Sequence, residues 1–160
     1  MELKLTPALK AAGLGAIAGM RTFSAPVVVS HIYSRHPSKN LDNSPLHFLQ
    51  TIRTSKVFKV LAAAELIGDK LPFAPKRTNA GGLIGRFAAG ALCGAAVYQA
   101  GHKMPVIGGL IGGTAAIATA FGCMFLRVGL GKKTRLPDAV IGAFEDAIAI
   151  SAGTAIAKQL

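Results

Sequence analysis

Hydrophobic residues in this chain fall into long runs separated by short polar and basic segments, and that spacing predicts a set of long apolar helices rather than an amphipathic fold. The first run covers residues 6–33 and is interrupted by Arg21 and Pro26; it is long enough to cross a bilayer with a break. Residues 34–54, SRHPSKNLDNSPLHFLQTIRT, are polar, hold two prolines and read as the longest loop, with a short interfacial helix around LHFLQTI. A second span, 55–71, stops at Pro72 and is at the short limit for a crossing. Further spans are expected at 80–100 and 104–127, the latter free of charge until its end and closed by the basic turn VGLGKKTRL. The last span, 137–158, opens with Pro137 and Asp138, an arrangement favoured at helix starts. The expected fold is a single all-α transmembrane domain over residues 1–160, an integral membrane bundle of about five helices.

Composition agrees with that pattern. Hydrophobic residues make up 51% of the chain and charged residues 16%, with a mean hydropathy of +0.46, a poor match for a soluble domain of this length. The nineteen glycines lie largely inside the apolar runs. Interior glycine weakens a helix in water, whereas in lipid small residues let helix backbones approach closely. Gly15 and Gly19, Gly90 and Gly94, Gly108 and Gly112, and Gly109 and Gly113 are each spaced i, i+4, which predicts close helix packing within or between chains. A homodimer is expected because many small bundles enlarge their core by dimerising. Cys93 and Cys123 lie among Ala, Gly and Phe without metal spacing and read as packing residues.

The net charge of +11 points to anionic lipid headgroups more than to nucleic acid, because Lys and Arg cluster between the apolar runs and Trp is absent. Under five spans, nine Lys and Arg lie on the N-terminal side and seven on the other, a slight preference for an inside N-terminus. The start MELK and the lack of a small-residue cleavage site before a polar sequence argue against a cleaved signal.

Candidate chemistry resides in the acids. Only seven acidic residues are present, and four of them, Glu65, Asp69, Glu145 and Asp146, fall inside apolar stretches where ionisable groups are costly and usually serve a pathway or a partner. Glu65 and Asp69 share one helix face and would repel, so a cation, a shared proton or an arginine must relieve them. Glu145 and Asp146 point about 100° apart on a helix, so one suits a site and the other a structural ion pair. Arg21 and Arg86 are the intramembrane bases. Four acids against two bases favour cation or proton handling, while Arg21 beside Thr22 and Ser24 near a helix break is suited to hold a phosphate or carboxylate.

An internal echo pairs VLAAAEL at 60–66 with VIGAFED at 140–146, glutamates in register, and GLGAIAG at 13–19 with GLIGGTA at 109–115. It suggests an inverted repeat, the first two spans against the last two, as in transporters whose sites lie near the midplane. Enzyme motifs fail on context. Gly13, Gly15 and Gly19 lack a preceding strand, GLGKKT lacks the first phosphate-loop glycine, and His31, His36, His47 and His102 show no metal-ligand spacing. No enzyme activity and no cofactor are expected.

The segments GMRTFSAPVVVS at 19–30, AAAELIGDKLPFAPKRT at 62–78, GLIGRFAAGALCGAA at 82–96 and LPDAVIGAFEDAIAI at 136–150 resemble the bacterial membrane family named domain of unknown function 4126. The resemblance spans nearly the whole chain and implies a small multi-span helical protein of the bacterial inner membrane, without implying an activity. From the residues, the expected function is a transporter or channel for a small cation or proton-coupled solute at Glu65, Asp69, Glu145 and Asp146, tuned by Arg21 and Arg86. The alternative is a membrane scaffold or anionic-lipid-binding protein in which the same charges are structural ion pairs.

Overall fold

The computed structural model describes residues 5–68, 79–134 and 138–160. Every regular element among them is helical: α1 Pro7–Met20, α2 Ser24–Arg35, α3 Lys39–Asp42, a 3-10 turn Pro45–Gln50, α4 Ile52–Gly68, α5 Ala80–Ala100, α6 Pro105–Thr134 and α7 Asp138–Ala157.

The central trio is α1, α5 and α6, and glycine holds it together. A methyl added at Gly94 would collide with the Gly108 carbonyl, at Gly15 with that of Gly112, and at Gly19 with that of Ala116. Gly90 likewise faces Gly112 and Gly113 faces the Phe87 ring. These contacts run down α6 as they run up α5, so the two helices are antiparallel, whereas α1 and α6 are parallel. All four spaced glycine pairs predicted from sequence pack within one chain.

The run 6–33 folds as two helices rather than as one broken rod. Helix α1 ends at Arg21, whose backbone is extended at φ −140° and ψ 115°, and the chain then turns back. Helix α7 shows the reversal: a methyl at Gly153 would lie 3.1 Å from Val28 Cγ2 and 3.9 Å from Ile17 Cδ1. Residues eleven apart on one straight helix would be separated by about 16 Å and could not both meet the same glycine. So α1 and α2 form a hairpin with its tip at 21–23. Pro26 does not interrupt the chain, because it sits within the first turn of α2, where a missing N–H costs no helical bond.

At the open end of this hairpin, here called the base, the polar connection is packed down rather than free. Leu41 and Leu49 are fully buried, Asn40 Nδ2 donates to the Ala100 carbonyl at 2.7 Å, and Gln50 bridges the Ser38 amide and Asp42. The expected interfacial helix at LHFLQTI is the 3-10 turn plus the start of α4. The N-terminus joins the same end, where Lys10 Nζ donates to the Gln159 carbonyl and the Leu5 amide to Gln159 Oε1 at 2.8 Å.

Three other expectations change. The turn at VGLGKKTRL is helical as far as Thr134, since it holds no proline and glycine only weakens a helix. An inverted pairing of 6–33 with 104–127 requires antiparallel helices, and α1 and α6 run parallel. Finally, only Ala80–Ala100 and Pro105–Leu126 are, among the described residues, both long and apolar enough to cross a membrane by themselves.

Candidate functional site

The hairpin tip gathers the charged residues singled out from sequence. Helix α2 begins with Phe23 at its N-cap, a side chain that accepts nothing, and a helix start without an acceptor leaves backbone N–H groups unsatisfied. Glu65 on α4 supplies it from outside. Its Oε1 accepts from the Thr22 amide at 2.9 Å and its Oε2 from the Phe23 amide at 3.1 Å. The carboxylate thus sits at the positive end of the α2 dipole, where negative charge is favoured.

Arg21 occupies the complementary place. It caps the C-terminal end of α1, where a cation is favoured, and grips Asp146 on α7 with two bonds, Nε to Oδ1 at 2.6 Å and Nη2 to Oδ2 at 2.8 Å. The side chains of Arg21 and Asp146 are 8% and 25% exposed, so the pair is substantially withdrawn from solvent. A forked pair of this kind is among the stronger polar contacts available to a protein.

Arg86 and Glu145 complete the cluster. Both are buried. Arg86 follows Gly85, at which a methyl would lie 3.7 Å from Thr22 Cγ2, and Glu145 precedes Asp146, so both lie at the tip's level on α5 and α7. Asp69 lies outside the described residues. Of the six residues named from sequence, Arg21, Glu65, Asp146, Arg86 and Glu145 therefore meet at one level of the bundle.

The Arg21–Asp146 contact is of the structural ion-pair kind expected for one of the two adjacent acids. Both oxygens of Glu65 face backbone amides and both of Asp146 face Arg21, so the carboxylates are arranged as a clasp on the tip rather than as a cage for a cation. Among the described residues no three His, Cys, Asp or Glu side chains are grouped to hold a metal. The carboxylate predicted to sit on Arg21 is the chain's own Asp146. Sequence reasoning missed the Thr22 and Phe23 amides, whose only trace is a helix that starts on a residue unable to cap it.

The profile of the domain of unknown function DUF4126 matches residues 8–158. The chain belongs to that family. No curated protein and no solved structure matches it. The family match takes in α1, the hairpin tip, Glu65, Arg86 and the Glu145–Asp146 pair, so the whole clasp lies inside it.

Proposed function

We propose that this DUF4126 protein is an integral membrane protein in which α4, α5, α6 and α7 cross the bilayer while α1 and α2 enter it from one side as a re-entrant hairpin. Large apolar side chains point outward on all four crossing helices, among them Val60 and Ile67 on α4, Ile84 on α5, Leu110 and Phe125 on α6, and Phe144 and Ile150 on α7. Such surface is unfavourable in water and natural against lipid. Helix α1, at fourteen residues, reaches about 21 Å, short of a hydrocarbon core of about 30 Å. Its broken end is tolerable at that depth because it is enclosed by protein and its backbone groups are satisfied.

The function we assign is passage of a small solute coupled to proton binding. The carrying observation is that Glu65, an anion of the chain itself, occupies the N-terminal end of α2, the kind of place where a bound anion is held. Protonation of Glu65 removes the charge favoured there and weakens one of its two amide bonds. The amide so released, with Arg21 nearby, then suits a small anion travelling with the proton. Discontinuous helices whose N-termini face anionic groups are used in this way in secondary transporters. A cation as the carried species has less support, because the carboxylates are already engaged.

Flux in proteoliposomes tests this, with a pH-sensitive dye inside and a panel of small anions and monovalent and divalent cations outside. Anion-dependent proton entry that is lost in Glu65→Gln supports the reading. Absence of flux above empty vesicles for every ion refutes it.

The bidentate Arg21–Asp146 pair favours a second reading, a scaffold in which these charges only lock helices. Exchanging Arg21 with Asp146 would then preserve both fold and partner binding. Recruitment through glycine faces has lost its support, since the spaced glycine pairs are used inside the chain. An oligomer, including a homodimer, would have to form through the outward aliphatic surfaces of α4 to α7.

A further inference from the structure

A groove of about 290 Å³ opens between α2, α4 and α7, away from the glycine-packed trio. Its walls are almost entirely apolar, with Val28, Ile32, Ala62, Ile150 and Ala157 among the lining residues. It has a direction. At one end Ser24 adjoins the clasp residue Phe23, and Ala62 and Ala149 lie about one helical turn from the clasp residues Glu65 and Asp146. At the other end are His31 and Lys59, with Lys59 Nζ 3.1 Å from His31 Nδ1. Arg35 follows His31 by one turn of α2, and Lys56 precedes Lys59 by about one turn of α4, so the basic character of this end continues along both helices beyond the groove.

We propose that the groove holds one acyl chain of an anionic phospholipid, with the phosphate on Lys59 and His31 and the chain's methyl end directed at the clasp. Charge and shape argue together for this occupant. An apolar slot with a cationic mouth fits an amphiphile whose head is negative, and it fits neither a neutral headgroup nor a free inorganic ion. The length also agrees. Ser24 to Ile32 spans about 12 Å along α2, enough for roughly ten methylenes of an extended chain. Lys59 lies about 10 Å above the start of α4 at Ile52, and its extended side chain covers about 6 Å of that distance toward the headgroup layer.

The inference rests on the membrane placement proposed above, and alkaline carbonate extraction tests that placement separately. The lipid site is tested by native mass spectrometry of purified protein offered equimolar phosphatidylglycerol and phosphatidylcholine. Wild type should retain one phosphatidylglycerol, with a preference on the order of tenfold, because phosphatidylcholine carries the same phosphate but adds a choline cation that the basic mouth repels. Lys59→Gln should abolish the preference while leaving some retention. Ala62→Leu, which fills the slot from a half-exposed position on α4 without touching the trio, should abolish retention of both lipids. A membrane-extracted protein whose three forms retain both lipids alike overturns the groove proposal and leaves the membrane placement standing. Release of the chain by carbonate overturns both.

Discussion

Replacing Glu65 with Gln gives opposite outcomes under the two arrangements its carboxylate could have. In the structure both oxygens accept from backbone amides, at 2.9 and 3.1 Å. Gln keeps one acceptor and turns an NH2 group toward the other amide, so one charge-assisted bond is lost, about 1.5 kcal/mol. Loss of the negative charge at the start of α2 removes roughly 0.5 to 1 kcal/mol more. The expected destabilisation is therefore about 2 kcal/mol, and Glu65→Ala should cost more because both amides lose their acceptor. Were Glu65 instead one of two unrelieved acids on α4, as the i, i+4 spacing with Asp69 suggests, neutralising it would relieve repulsion and raise stability. Reversible unfolding in mixed micelles, followed by circular dichroism at increasing denaturing detergent, measures the sign directly. A Glu65→Gln protein equal to or more stable than wild type refutes the clasp.

Further outcomes follow from other parts of the structure. Asp146→Asn and Arg21→Gln should each lower stability by about 3 kcal/mol, since each breaks the forked pair and costs a largely buried charge its opposite charge there, and a double-mutant cycle should show strong coupling; additive losses would mean the pair contributes nothing. Gly94→Ala forces α5 from the Gly108 carbonyl and should cost about 2 kcal/mol, whereas Gly122→Ala, with open space around the added methyl, should leave the unfolding midpoint equal or slightly higher. In a background lacking Cys93 and Cys123, Ala8→Cys and His36→Cys should react with a membrane-impermeant maleimide from the same side; labelling from opposite sides would show that 6–33 crosses the bilayer.

Much of this architecture was legible in the chain, and the rest was hidden for identifiable reasons. The span 80–100 and the interruption at Arg21 could be read because charge and apolar spacing are local properties. The glycine pairs were legible as packing positions, but sequence cannot say whether a glycine meets its own chain or another. The reversal at 21–23 left no periodic signal, since two short helices folded back and one long broken helix present the same hydrophobic pattern. Burial of Leu41 and Leu49 beneath a polar stretch was invisible for a similar reason, two apolar residues being too few to outweigh their neighbours. The acids were found by their cost in an apolar setting. Their partners were not, because Glu65 binds main-chain amides that every residue possesses.

The glycine packing also decides which parts of the molecule can move. Where α1, α5 and α6 touch at Gly15, Gly19, Gly90 and Gly94, backbone meets backbone, so these contacts have few rotamers to switch. Sliding α6 by a residue would bring the Cβ of Ala115 or Ala116 into places now held open at Gly15 and Gly90. Packed interiors move between discrete arrangements rather than deforming continuously, and this trio offers only one. Helices α2, α4 and α7 meet one another through side chains, across an apolar groove and through the clasp. The trio is therefore the rigid part of the molecule, and relative motion of helices is left to α2, α4 and α7 at the hairpin tip.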